Sequence, residues 1–338
     1  MGVIGIVVNP ASGKDVRRLV ARASVFDNQE KQAIVSRALI GARAAGAREV
    51  AWMDDAHGIV AGAVADQHGL ESTVVEATRT ATPLDTISAA RALKDIGCAV
   101  VITLGGDGTN RAFAIGWRDA PLIALSTGTN NVFPCLLEGT VAGAAAGLIA
   151  ARRIRIDEVA RQQKLIRVEV EGERGDLALI DAVLSRERFV GARALLAPDL
   201  LDTALVTCAD PAAVGVTAIG GLLKSVRRDD DRGLRLTFGP GGHIVQAPIA
   251  PGLYRRVAVA DHGTVQFGER VEVAGPGVLA FDGERDRTLK PGQKASMYVA
   301  CTGPHVVDVW RTLELAAERG LFSMDCESRP ADAPPVHH

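Results

Sequence analysis

With 338 residues, 47% of them apolar and 23% charged, the chain has material for two ordinary domains and a sizeable core. Aromatic residues are only 4%, so that core must rest on Ala, Val, Leu and Ile. A net charge of −2 disfavours a nucleic-acid or membrane-surface protein, and an anionic ligand must be held by local dipoles and a few basic side chains.

Cys98, Cys135, Cys208, Cys301 and Cys326 are scattered with no CxxC pair, which argues against zinc and fits a reducing compartment. Val3–Val8 opens as a strand-like run without a basic leader. No apolar stretch reaches the roughly 18 residues of a membrane span. The expectation is a cytoplasmic protein with neither a membrane nor a nucleic-acid partner. The histidines, among them His57, His68, His243, His262 and His305, show no metal-ligand spacing.

The first strand is expected at 3–8 and stops at Asn9-Pro10-Ala11-Ser12-Gly13, a turn signal. A helix follows over about 28–46, closed by Gly46. Strands are expected at 50–53 and 72–76, then a helix over 83–96 with Pro83 in its first turn. Ala99–Leu104 is an unbroken apolar run suited to a central parallel strand, and Leu122–Leu125 is a shorter one ending at Ser126-Thr127-Gly128. Strand–helix alternation over 1–157 implies an open parallel α/β sheet. From 158 to 302 the texture changes. An alternating strand at 165–170, a strand at 177–180 and short strands at 256–260, 270–274 and 295–300 read as an antiparallel β domain. Residues 227–232, Arg-Arg-Asp-Asp-Asp-Arg, read as a solvated loop. Within 303–325 an amphipathic helix, about 304–319, is expected to return to the first domain, and 326–338 form a tail.

Gly105-Gly106-Asp107-Gly108-Thr109 stands between the central strand and a helical segment. Glycines let the backbone approach a phosphate closely, and loop amides with the positive helix end stabilise the anion. A carboxylate there repels the ligand unless it binds Mg²⁺ or takes a proton from an attacking hydroxyl, which makes Asp107 the candidate catalytic group. A tight turn with Asp107 as a cap is the plain alternative. The turns at 9–14 and 126–131 leave the carboxyl ends of the same sheet, so all three face one crevice. Lys14 and Arg111 follow two of these turns and are candidates to steady a phosphate. Competing motifs fail: a Walker loop needs Gly and Ser or Thr where the chain has Val8 and Asp15, and neither GxGxxG nor GxSxG is present in its place.

The GGDGT loop, the NPxSGK turn and the GTxN loop together resemble the superfamily of NAD kinases, diacylglycerol kinases and sphingosine kinases. Nearly the whole chain is similar to the acetoin catabolism protein X (AcoX) family. That family's NPxSGxDxRRLV opening is matched by residues 9–20 and its STGTNNVFP segment by 126–134. The resemblance implies an α/β nucleotide domain (1–157), a β-sandwich acceptor domain (158–302), ATP and Mg²⁺ in the cleft, and a homo-oligomer, a dimer. It places Gly105, Gly106, Gly108 and Thr109 around the triphosphate, with Asp107 as base or metal-linked carboxylate. Asn9, Ser12, Gly13 and Lys14 would flank the nucleotide phosphates, and Gly128, Thr129 and Asn130 would line the nucleotide site. Asn131 and Asp181 would face the acceptor. Asp282 and Glu284 would stand near the metal, as the DGE motif of lipid kinases does, although Asp-Gly is also a favoured turn dipeptide.

Two departures bear on the acceptor. NAD kinases carry an Asn-Glu pair and a Gly-Ser-Thr-Ala-Tyr segment, for which Leu179–Ala182 and Thr217–Gly221 are the nearest stretches here. The greasy surface of a lipid kinase is missing from the composition. The implied function is ATP-dependent phosphoryl transfer to a hydroxyl of a small acceptor, NAD first, a small polyol or hydroxyketone second, with a non-catalytic nucleotide sensor as a third reading. Asp107→Ala is expected to abolish transfer and leave ATP binding mostly intact.

Overall fold

A computed structural model describes residues 2–13, 26–128, 130–186 and 197–323. Strand β1 (Ile4–Val8) precedes helix α1 (Asn28–Ala44), β2 (Glu49–Met53), α2 (Ile59–Ala65), β3 (Glu71–Val75) and α3 (Pro83–Ile96). The alternation continues through β4 (Val100–Gly105), α4 (Asp107–Gly116), β5 (Pro121–Ser126) and α5 (Gly139–Ala150). The runs of β1 and β4 are buried along their whole length, as strands covered on both faces must be. The strands pair in parallel in the order β3-β2-β1-β4-β5. Chain order reverses between β1 and β4, and at such a switch point the carboxyl ends open a crevice.

Helices α1, α2 and α5 cover one face of the sheet, with Leu39, Val60 and Ala146 in one apolar cluster; α3 and α4 cover the other, with Leu93 and Phe113. The contact of α1 with α5 is made by glycine. Gly139, Gly143 and Gly147 recur at helical spacing, and a Cβ on Gly143 would stand 1.9 Å from the Ala38 carbonyl oxygen. Gly143→Ala therefore forces the helices apart, and urea denaturation is expected to show a loss of about 1–3 kcal/mol. An unchanged midpoint would mean that the helices separate freely.

The chain then runs through α6 (Ile156–Val159), β6 (Ala160–Gln162), β7 (Leu165–Val170), β8 (Asp176–Ala178), β9 (Asp181–Ser185) and β10 (Leu201–Val206). Next come α7 (Val216–Leu223), β11 (Arg232–Ala250), β12 (Leu253–Gln266), β13 (Val271–Ala274), β14 (Gly277–Phe281), β15 (Glu284–Leu289) and β16 (Lys294–Ala300). They build a six-stranded antiparallel sheet, β12-β11-β10-β9-β14-β15, and a four-stranded one, β13-β16-β7-β8. Ile166, Met297 and Val299 of the smaller sheet meet Leu184, Leu205 and Phe281 of the larger to form the second core.

Three local expectations change. The strand at 177–180 stops at Ala178, because the amides of Leu179, Ile180 and Asp181 turn to the Asp282 carboxylate instead of a neighbouring strand. The expected helix from 304 begins as strand β17 (His305–Val307), which lies between β5 and β6 and extends the first sheet to seven strands. Helix α8 (Val309–Glu318) follows and sets Val309 and Ala316 into the cluster beneath α5. With β6 in that sheet, the first layer continues past residue 157 to Gln162. Among the described residues no helix is long and apolar enough to cross a membrane.

Candidate functional site

The loops after β1, β4 and β5 meet through specific contacts. Asn9 donates from Nδ2 to Thr109 Oγ1 at 2.8 Å, joining the first loop to the glycine-rich one. Gly13, at φ 71°, lies so close to the last loop that a Cβ would stand 2.8 Å from the Thr127 carbonyl oxygen. Gly106 faces Asn131 Oδ1 in the same way, at 2.8 Å from where its Cβ would be. Asn131 donates from Nδ2 to Ser126 Oγ, so it shapes the turn. Ser12 likewise donates to the Asn9 carbonyl. Gly128 lies against Asn131, and Thr127 Oγ1 and Asn130 Oδ1 are buried with no partner among the described residues. Buried polar atoms of this kind are expected to be satisfied by a ligand or water. Lys14 and Thr129 lie outside the described residues.

Asp107 is the keystone of this arrangement. It opens α4, and its carboxylate accepts from the amides of Val132 (3.0 and 3.1 Å) and Phe133 (2.7 Å). Asp107→Ala would leave both amides without this acceptor and so is expected to disturb the loop as well as the chemistry.

The second domain reaches the same loop. Asp282 (φ 50°) and Gly283 (φ 79°) form the tight turn between β14 and β15, both in the left-handed region that such hairpins use. The turn carries Glu284 onto the loop: a Cβ on Gly108 would stand 2.4 Å from Glu284 Oε1. Asp282 points the other way, into the protein, where its carboxylate accepts from Leu179, Ile180 and Asp181 at 2.7–3.2 Å. Burial first, and then the neighbouring Asp181 carboxylate, push its pKa up to about 8 against the pull of those amides and Arg111. Asp181 is buried, and its carbonyl accepts from the Asp282 amide. Because the folded chain keeps a proton on Asp282 that the unfolded chain loses above about pH 4, stability falls as pH rises from about 4 to 8. Asp282→Asn is expected to flatten that slope in urea denaturation at pH 5 and pH 8; an unchanged slope would assign it to other groups.

One basic residue differs from its sequence reading, and three others hold loops in place. Arg111 turns away from the loop and ties the domains together. Its Nε donates to the Leu177 carbonyl (2.7 Å), a terminal nitrogen pairs with Asp176 (2.9 Å), and the guanidinium lies 4.9 Å from the Phe281 ring centroid. Lys31, fully buried, donates from Nζ to the carbonyls of Asn9 (3.2 Å), Pro10 (2.9 Å) and Ser12 (2.7 Å). Arg228, in the segment read as a solvated loop, donates to the Phe133 carbonyl, and Lys164 Nζ holds that segment by the carbonyls of Arg227 and Arg232 at 2.8 Å. Thr217–Gly221 lies within α7 against the second domain's own apolar cluster.

Among the described residues no three His, Cys, Asp or Glu side chains group closely enough to cage a metal. Mg²⁺ takes one or two carboxylates with waters and substrate phosphates, so the exposed Glu284 beside Gly108 and the Asp107 carboxylate fit it. Asp282, committed to three backbone amides, does not.

Residues 4–153 match the ATP-NAD kinase N-terminal domain, and residues 164–302 match the acetoin catabolism protein X C-terminal domain. The acetoin catabolism protein X of Cupriavidus necator is 37% identical over 336 residues, covering 95% of this chain and 94% of that protein. Yeast NADH kinase complexed with NADH shares the fold at 12% identity, with a TM-score of 0.50 over 98% of this chain and 90% of that one. A candidate diacylglycerol kinase of Bacillus anthracis str. Sterne does so at 13% identity, with a TM-score of 0.51 over 90% and 97%. The chain therefore belongs to the acetoin catabolism protein X family, built on the NAD kinase/diacylglycerol kinase-like fold.

Proposed function

We propose that the protein is an ATP- and Mg²⁺-dependent phosphotransferase that acts on a hydroxyl of a small acceptor. The observation that carries this is the meeting of four loops at Gly105–Thr109, three from the sheet edge and one bringing Glu284 from the second domain. The amides and glycines accept the triphosphate of the donor, and the Thr127 hydroxyl and Asn130 oxygen, unpartnered among the described residues, are offered to it. The acceptor oxygen attacks the γ-phosphorus, the bond from that phosphorus to the bridging oxygen breaks, ADP leaves, and the hydroxyl proton passes to Asp107. Mg²⁺, when bound, supplies neutralisation of the phosphate charge, with Glu284 and Asp107 as its protein carboxylates.

NAD is the acceptor that the fold suggests first. A small hydroxylated metabolite is the second reading, because the Asn-Glu pair that NAD kinases carry has no counterpart at Leu179–Ala182. A coupled ADP-release assay with Mg-ATP, running NAD against small polyols, hydroxyketones and hydroxy acids, decides between them. NADP formation establishes an NAD kinase, and turnover with a small compound alone a metabolite kinase. Silence across the panel with ATP still bound sinks the phosphotransferase and leaves a nucleotide sensor.

A further inference from the structure

Helix α4 starts in the glycine-rich loop, and Arg111 stands one turn into it with its side chain directed at the second domain. Its contacts there converge on one hairpin. The guanidinium lies 4.9 Å from the ring centroid of Phe281, the last residue of β14. A terminal nitrogen pairs with one oxygen of Asp176 at 2.9 Å, and the other oxygen of Asp176 pairs with Arg287 of β15 at 3.1 Å. Phe281 and Arg287 lie on the two arms of the turn, each three residues from Glu284. The Arg111 and Asp176 side chains are only 7% and 12% exposed, so solvent and salt screen this pair little. Pairing of β14 with β9 and the Asp282 carboxylate fix the hairpin within its own domain. Arg111 is what fixes it to the helix that begins at Asp107. Glu284 stands exposed at the tip, where a Cβ on Gly108 would meet its Oε1 at 2.4 Å.

We propose that Arg111 is a positioning residue for Glu284: it grips both arms of the β14–β15 hairpin and so presents the Glu284 carboxylate to the glycine-rich loop. Divalent-cation binding beside the nucleotide then depends on Arg111, although its side chain faces away from the loop. The grip needs a planar fork. Nε serves the Leu177 carbonyl while a terminal nitrogen serves Asp176, and the guanidinium also meets Phe281. A lysine ammonium keeps the charge but cannot hold all three at once. The metal half of this inference rests on the reading of Glu284 as a Mg²⁺ carboxylate; the grip on the hairpin does not.

The test titrates Mg²⁺ calorimetrically into the full chain saturated with a non-hydrolysable ATP analogue. Glu284→Gln is expected to weaken Mg²⁺ binding about tenfold or more, and Arg111→Met by a comparable factor, as when a group that orients a metal ligand is lost. The double variant is expected to be no weaker than Glu284→Gln alone, because both changes remove one contribution. Arg111→Lys is expected to restore little. Asp176→Asn, which keeps Arg111 and weakens its link to Arg287, gives the same comparison without emptying the interface. Mg²⁺ affinity that survives Arg111→Met and Asp176→Asn, or losses that multiply in the double variant, overturn the proposal. Hydrogen exchange of the amides over 277–284 reads the grip without the metal, and it is expected to quicken in Arg111→Met. Unchanged exchange there overturns the proposal in every case. An analogue that does not bind, or Mg²⁺ binding indifferent to Glu284→Gln, counts against the phosphotransferase reading, and quickened exchange then still keeps the grip.

Discussion

Asp107→Asn is expected to lower kcat by about 100- to 10,000-fold, the range that a positioned general base supplies. The asparagine variant is the cleaner one because of what the carboxylate already holds. Its oxygens accept from the Val132 and Phe133 amides, and alanine would leave both unsatisfied, at about 1–3 kcal/mol for each buried group. Asparagine keeps one accepting oxygen for Phe133 and turns an NH₂ group toward Val132, so the loop loosens without being released. The KM for ATP therefore rises modestly and the melting temperature drops slightly. A purely structural role moves those two quantities and leaves kcat within a few-fold. Rapid-quench measurement of the transfer step at saturating ATP and acceptor separates the outcomes, and a kcat within threefold of wild type removes Asp107 from the chemistry.

The sheet and its loops were legible because their signals are local. Val100–Gly105 is a buried apolar run that ends in glycines, and the NPASG and STG turns stop β1 and β5 where the pattern stops. What stayed hidden depends on partners far along the chain. Lys31 looks like any lysine of an amphipathic helix, yet its ammonium reaches back 19 to 22 residues to the carbonyls of the first loop. The break at Leu179–Asp181 is set by Asp282, more than 100 residues away. Arg228 sits in an exposed charge run, and only the fold shows that its side chain also donates to the Phe133 carbonyl. The glycine stripe of α5 has a readable period, but its meaning appears only when Ala38 and Ala42 of α1 are brought against it. Glu284 was legible as part of a motif, whereas the opposite directions of Asp282 and Glu284 follow from the geometry of a two-residue turn.

Lys31→Met is expected to lower stability by about 3 kcal/mol, from hydrogen bonds between a charged donor and buried carbonyls that methionine cannot replace. Methionine has nearly the same length and fills the same space, so the loss is of donors and not of packing. The carbonyls of Asn9, Pro10 and Ser12 then lose their shared partner, and the first loop is free to drift from the glycine-rich one. Among the described residues its hydrogen-bonded link to that loop is Asn9 to Thr109, a side-chain bond between part-buried groups, which cannot hold the geometry alone. The KM for ATP is therefore expected to rise about tenfold or more while the transfer step at saturating nucleotide changes little, because Asp107 is anchored separately on Val132 and Phe133. Urea denaturation and ATP titration read the two effects independently. A stability loss with an unchanged KM would place the donor phosphates away from Asn9–Gly13 and confine Lys31 to the fold. No change in either would mean that the loop carbonyls find water as readily as they find the ammonium.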